Sequence, residues 1–389
     1  MTLNTRIMAG RLIDGTGSPA RNNVLIDIRS GRIASVLKAD PDALAGHPVT
    51  DLSQSTLLPG LMDAHVHLFM SGTSNETIRK RQLEADYNET VPVMNKHLEN
   101  HLASGVIAVR DGGDRLGHVL RYKNQYIHSN EPVILKAAGR AWHQKGRYGR
   151  LIARHLHEGI SLAAALAEDS ESDHVKIVNS GLNSLKEFGK KTAPQFSAKD
   201  LKDAVHAAHA KNRPVMVHAN GEIPVQMALD AECNSIEHGF FMGRENLQKM
   251  ADKQIFWTPT ACTMQAYAAQ LAPGGREADM ARRNLDHQLE QLQQARSLGT
   301  PVVTGTDAGS LGVDHGPGLS NEISLLITAG YPVEEAIKCA AQNTAALLGL
   351  IKEYGTLEPG KNACFLVVPG LSGDLASGLA DSRTRLLIP

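Results

Sequence analysis

The chain has 389 residues, with 40 Lys+Arg against 41 Asp+Glu, a formal net charge of -1 and no long run of either sign. This balance argues against a nucleic-acid partner, which calls for a basic excess. A hydrophobic fraction of 42% excludes a disordered chain and supplies a large core.

The four cysteines (Cys233, Cys262, Cys339, Cys364) are scattered, which fits a reduced protein with buried thiols and excludes a disulfide scaffold or a thiolate zinc site. No segment approaches the roughly 20 apolar residues needed to span a bilayer, so no membrane partner is expected. The opening MTLNTRIMAGRLIDG lacks a basic start followed by an apolar stretch, and a cytoplasmic location is expected. Histidine is in excess: 17 residues outnumber Phe, Trp and Tyr combined (7, 2 and 7). Imidazole fills cores poorly but holds metals and moves protons well.

In chain order, residues 1–58 read as short strands (Arg6–Met8, Val24–Ile28, Ile33–Leu37) joined by turns at 14–17 and 30–31. Apolar strand patterns then alternate with helical ones. The strands are Leu61–Leu68, Val106–Asp111, Val133–Ala138, His174–Val178, Pro214–His218, Ser235–His238, Phe256–Thr260 and Val302–Asp307. The helices include Val91–Leu102, Ser161–Glu168, Ala198–Lys211 and Ala278–Leu298. Strands apolar on both faces belong in a buried parallel sheet, and eight such units predict an α/β fold closed as a (β/α)8 TIM barrel. Beyond residue 354 the turn-and-strand texture of the N-terminus returns (Glu358-Pro359-Gly360, then Cys364–Val368), which predicts that the two ends pair.

A barrel places its chemistry at the carboxyl ends of its strands. The first strand ends Asp63-Ala64-His65-Val66-His67, and residues two apart on a strand point to the same side. The fifth ends at His218, the sixth at Glu237-His238-Gly239 and the eighth at Thr306-Asp307. Imidazoles from three strands and one carboxylate at a common rim are a ligand set for zinc or another divalent ion. Lys176 lies in the apolar run Val175-Lys176-Ile177-Val178. Pointing inward it carries a desolvation cost of several kcal/mol unless paired or converted by CO₂ to an anionic carbamate; pointing outward it buries only its stem.

His143, in the loop after the third strand, is a candidate donor to a developing oxyanion. Lys145, Arg147, Arg150 and Arg154 surround Tyr148 nearby, and a guanidinium fork suits a substrate carboxylate. Other histidine pairs carry no such expectation. His97 and His101 lack the Glu of a zincin motif, His155 and His157 fall in a helix-like stretch where their side chains diverge, and His206 and His209 belong to a polar helix face.

The chain resembles the amidohydrolase superfamily over nearly its whole length. The resemblance is carried by Leu58-Pro59-Gly60-Leu61-Met62-Asp63-Ala64-His65-Val66-His67, Arg110-Asp111-Gly112-Gly113, Ser235-Ile236-Glu237-His238-Gly239 and Gly305-Thr306-Asp307. Gly10–Gly15 and Gly355–Lys361 match at the two ends, and Asp173–Ile177 followed by Ser180-Gly181 is similar to the carboxylated-lysine, Xaa-Pro dipeptidase-like branch. The resemblance implies a barrel at 59–354 and a small β-sandwich domain formed by 1–58 and 355–389.

It also implies two divalent metal ions, zinc first among them. His65, His67 and Asp307 would hold one and His218 and His238 the other, bridged by a carbamate on Lys176. A metal-bridging hydroxide would attack the carbonyl of a small substrate, such as a dipeptide or N-acyl amino acid, with Asp307 and His143 catalytic and His143, Arg147 and Tyr148 on the substrate. The alternative within the superfamily is a mononuclear zinc deaminase or cyclic-amide hydrolase resembling imidazolonepropionase. The chain departs from the common pattern at His218-Ala219-Asn220, where many members read His-Ala-His, and at Ala363-Cys364. The expected partner is a small-molecule substrate, and a homo-oligomer is compatible with the sequence.

Overall fold

The structure is a computed structural model that describes residues 4–39, 49–126, 132–169, 171–371, 375–379, 381 and 383–388. Its strands run β1 (Asn4–Leu12), β2 (Arg21–Arg29), β3 (Arg32–Lys38), β4 (Val49–Pro59), β5 (Leu61–Val66), β6 (Val106–Asp111) and β7 (Ile134–Ala137). They continue as β8 (Ala141–His143), β9 (Ala153–His155), β10 (Val175–Val178), β11 (Val215–Ala219), β12 (Ser235–His238), β13 (Phe256–Thr258), β14 (Phe365–Pro369) and β15 (Arg385–Leu387).

The two chain ends pair, as their texture predicts. Strands β15-β14-β4-β1-β2-β3 form one six-stranded sheet, in which β4 lies parallel to β1 and antiparallel to β14. Its far edge bends back, because Ile33 N donates to Lys361 O at 2.9 Å and Ala363 N to Gly31 O at 2.8 Å, just ahead of β14. Ile7, Ile26, Leu57 and Phe365 fill a core of its own beneath it. Among the described residues this unit is a single curled sheet, and a second facing sheet is not among them.

The middle of the chain is α/β with parallel sheets, β5-β6-β7 and β13-β12-β11-β10-β8-β9. Every residue of β5, β6, β10 and β11 is buried, the pattern of strands covered on both faces. Sequence-local signals bound the covering helices. Asp86 and Glu89 form a reciprocal capping box at the start of Tyr87–Ala103, the Ser161 and Ser197 side chains cap Leu162–Glu168 and Ala198–His209, and left-handed Gly299 ends Arg276–Leu298.

Two expectations need correction. Val302–Asp307 is not a strand: it is held by single bridges, Trp257 to Val302 and Val66 to Ala308, and by Ala64 N donating to Thr304 O at 2.9 Å. Asp63 diverts its backbone, since Thr306 N donates to Asp63 Oδ1 at 3.0 Å and the Thr306 hydroxyl to Oδ2 at 2.6 Å. Conversely, His155 ends strand β9, not a helix, and the loop expected at 141–146 begins with β8. Three-residue strands are too short to announce themselves by alternation.

Candidate metal centre

Strand β5 delivers His65 at its penultimate position and His67 one residue past its end. Each ring is fixed through Nδ1, which donates to Glu237 Oε2 at 2.8 Å from His65 and to Gly113 O at 2.9 Å from His67. Carboxylate and carbonyl oxygens only accept, so both rings keep Nε2 for the opposite side. There they meet the Asp307 carboxylate, whose Oδ1 lies 3.5 Å from His65 Nε2 and 3.3 Å from His67 Nε2. The donor atoms of these three residues all lie within 4.8 Å of one another.

The electrostatics suit a cation in this space. Burial and then the Lys176 ammonium push the His65 imidazole down to about 4, its neutral, ligating form. Burial opposes charge on His67 and Asp307 as well, yet their mutual hydrogen bond prevails: the imidazole is raised and the carboxyl held far below its usual range. The hydrogen-bonded pair thus lies where a divalent ion would bring its own positive charge. Asp307 is left-handed (φ 57°), unusual for a non-glycine residue, and Ser310 Oγ donates to its Oδ2 at 2.8 Å.

The remaining sequence-predicted ligands adjoin this group. Lys176 points inward: its side chain is 1% exposed and Nζ lies 3.5 Å from His65 Nε2. Burial pulls its ammonium down to about 8, which leaves a reactive neutral amine close at hand near neutral pH. The His238 ring stands 5.1 Å from that of His65 and 4.6 Å from that of His218. His218 Nε2 donates to Gly181 O at 3.1 Å, and His238 Nδ1 pairs with Thr260 Oγ1 at 2.7 Å. Burial keeps both imidazoles neutral.

The candidate substrate residues separate. Tyr148 lines a cavity of about 90 Å³ together with His67, Asp307 and Arg79, and its ring lies 5.3 Å from that of His218. His143 and Arg147 do not line that cavity. Arg147 is exposed and donates to Ala193 O at 3.0 Å, while His143 at the end of β8 faces a separate cavity shared with His155 and Arg154. β8 lies between β10 and the edge strand β9, to which it is parallel.

The sequence reading overlooked the groups that hold the ligands. Glu237 accepts from His65 on one oxygen and, on the other, from Arg110 at 2.9 Å and from the Ser235 hydroxyl at 2.5 Å. Its signal was available, for a lone carboxylate in an apolar strand requires a partner. Thr260 on His238 had no comparable signal. His97 and His101, set aside as a failed zincin motif, are buried and structural together with His315: His97 Nδ1 donates to Leu68 O and His315 Nε2 to Met70 O, both at 2.8 Å, His101 Nε2 donates to His315 Nδ1 at 3.1 Å, and the rings of His97 and His315 stack at 3.9 Å. They brace the chain just after His67.

Gly112 abuts the ligand nitrogens. A Cβ there would sit 2.8 Å from His67 Cε1 and 3.2 Å from Nε2 of both His65 and His67. Gly112→Ala is therefore expected to weaken metal binding by at least ~10-fold, the scale seen when groups that orient ligands are altered. Metal content after dialysis against a chelator series reads this, with circular dichroism verifying the fold. A variant that binds metal as tightly as the native chain would show that the cation sits elsewhere.

The amidohydrolase family pattern matches residues 56–382. Ochratoxinase of Aspergillus niger is 24% identical over 389 residues, covering 89% of this chain and 76% of that protein. Imidazolonepropionase of Agrobacterium fabrum is 26% identical over 389 residues, covering 91% of this chain and 86% of its own. Among solved structures, a Xaa-Pro dipeptidase with methionine bound in its active site superposes with a TM-score of 0.81 at 24% identity, covering 97% of each chain.

Proposed function

Because this chain belongs to the amidohydrolase family, we propose that it is a two-metal hydrolase of the C–N bond in a dipeptide or N-acyl amino acid. The observation that carries this reading is the convergence of His65 Nε2, His67 Nε2 and Asp307 Oδ1 beside a fully buried lysine. His65, His67 and Asp307 would hold one ion, His218 and His238 the other, and Lys176, carboxylated by CO₂, would stand between them. Bound divalent ions, zinc first among them, make water nucleophilic at neutral pH and polarise a carbonyl oxygen.

The chain's own groups do the rest. Asp307 accepts the proton of the attacking water and passes it to the departing nitrogen as the C–N bond breaks. Its left-handed backbone and Ser310 hold the carboxylate in place for that transfer. Tyr148 is 37% exposed, and desolvation at its hydroxyl and then the Asp307 charge only push a phenol that is already protonated at neutral pH further up, so it serves as a donor to the carbonyl oxygen. A dipeptide or N-acyl amino acid as substrate follows the likeness to the Xaa-Pro dipeptidase.

The scaffold of this reading is a (β/α)8 barrel over 59–354, with the paired ends (1–58 and 355–389) as a second unit. Asp173 N donating to Ala137 O at 3.0 Å links the two parallel sheets on one side, and the 302–308 segment lies between β13 and β5 on the other. A second reading, a one-metal deaminase or cyclic-amide hydrolase, draws on the fact that one three-donor group stands closest together and on the imidazolonepropionase relative.

Protein loaded with zinc in bicarbonate is expected to contain about two ions per chain and to hydrolyse members of a dipeptide and N-acyl amino acid panel. One ion per chain whatever the bicarbonate, with turnover confined to cyclic amides or aminopurines, would establish the second reading instead.

A further inference from the structure

Outside the metal group, one charged side chain on the wall of the cavity is held in place yet only partly satisfied. Helix Glu76–Glu84, capped by Asn75 Oδ1 accepting from Thr77 N and Ile78 N, lies on the surface with none of its side chains buried. Arg79 reaches in from it. Its Nη1 donates to Ser71 O at 3.0 Å, Gly309 O at 3.2 Å and Thr73 O at 3.4 Å. Three carbonyls thus grip one corner of the guanidinium and tie it to the turn after Asp307. Among the described residues, Nε and Nη2 donate to nothing and no carboxylate forms an ion pair with Arg79. A guanidinium fixed at one corner with its other donors free is pre-organised for a planar, bidentate anion.

We infer that Arg79 anchors the carboxylate of the substrate's leaving group, so that the enzyme selects amides of free amino acids over their neutral counterparts. This rests on the hydrolase reading above and deepens it. Arg79 lines the same cavity as His67, Asp307 and Tyr148. The bond from Arg79 Nη1 to Gly309 O, two residues past Asp307, sets the guanidinium beside the metal ligands, so an anion on Arg79 can belong to the same small molecule as a carbonyl at those ligands, as an α-carboxylate on the departing nitrogen's carbon does.

Phe69, Met70, Leu151 and Ile152 supply the apolar remainder of the wall, which strengthens a charge pair formed beside them and accepts an apolar side chain. Burial partly desolvates Arg79, with Tyr267 and Asp307 the charged or ionisable groups it feels most. The basic loop around Tyr148 offers no equivalent, because Arg147 is exposed and donates to Ala193 O.

Zinc-loaded enzyme would be assayed on N-acetyl-L-methionine and N-acetyl-L-alanine, each against its carboxamide, as native protein, Arg79→Gln and Arg79→Lys. The acid-to-amide ratio of kcat/KM is expected to fall by about 10- to 100-fold in Arg79→Gln, chiefly through KM, the range for a charge-assisted bond lost. Arg79→Lys should restore part of it. A purely structural Arg79 would lower both substrates together, and an unchanged ratio overturns the inference.

Calorimetry of L-methionine against L-methioninol, which lacks the carboxylate, gives a reading independent of turnover. Arg79→Gln should erase the native preference for methionine; a preference that survives, or one absent from the native protein, overturns the anchor. If no amide is turned over, the hydrolase reading fails while the calorimetry still decides the role of Arg79.

Discussion

Lys176→Met is expected to lower kcat/KM for amide hydrolysis by at least ~10³, equivalent to about 4 kcal/mol of transition-state stabilisation, and, on the two-metal proposal, to cut bound metal from about two ions per chain to about one. Methionine keeps the volume of the stem, so the effect reports the amine and not a cavity. Lys176 sits among fully buried strand residues with Nζ 3.5 Å from His65 Nε2, and no described carboxylate forms an ion pair with it. An ammonium is poorly placed there, and burial draws it down to about 8.

Reaction with CO₂ replaces an awkward cation by an anion facing neutral imidazoles, a favourable exchange only if cations lie alongside. Native activity should therefore drop when CO₂ is stripped during metal loading and return with bicarbonate, whereas Lys176→Met should respond to neither. Metal analysis and kinetics on the same preparations test both halves. One ion per chain in both the native protein and Lys176→Met, with undiminished turnover in the variant, would establish the one-metal reading.

Glu237→Ala carries the second large effect, this time on stability as well as on the site. Glu237 and Arg110 are both buried, with side-chain exposures of 0% and 3%. The guanidinium also donates to Ala64 O at 2.7 Å and Ser235 Oγ at 3.1 Å, so it cannot swing out to water when its partner is lost. Breaking a buried pair from one side leaves an uncompensated charge, a loss of ~3–5 kcal/mol. The same deletion frees His65 Nδ1 and with it the ring orientation, which should weaken metal binding by roughly 10- to 100-fold.

Urea unfolding of the metal-free protein isolates the first effect, and metal titration under folding conditions isolates the second. Arg110→Met added to Glu237→Ala should recover part of the stability, because it removes the stranded charge. It should not recover metal affinity, because His65 still lacks its acceptor. Unfolding free energies within ~0.5 kcal/mol of native, the range of ordinary surface substitutions, would show that the pair has no such structural role.

Much of this was legible in the residues. His65 and His67 were visible because a strand has a period of two, so an H-x-H at its end aims both rings one way. The helix starts at Ser161 and Ser197 were equally local, since a cap is satisfied within three residues of its own position, whereas the helix expected from Val91 starts at Tyr87, behind its Asp86 cap. The Val302–Asp307 segment misled, because its β-branched residues (Val302, Val303, Thr304, Thr306) are those of a strand while Asp63, 243 residues away, takes its backbone donor. The basic loop misled for a related reason. Clustering in sequence placed Arg147 beside Tyr148, but consecutive side chains diverge, and only Tyr148 turns toward the site.

The amino-acid order alone therefore determined what depends on short-range periodicity and residue chemistry: an α/β chain with parallel sheets, paired ends, and His65, His67 and Asp307 as a group that could hold a metal. It left open which way Lys176 points, which acceptors lock the imidazoles, and which arginine faces the cavity. Those answers depend on contacts over long separations, such as Glu237 with His65 and Arg79 with Gly309. No local pattern encodes such contacts. Each is fixed only when the strands pack and every buried donor must find an acceptor or be left for a ligand.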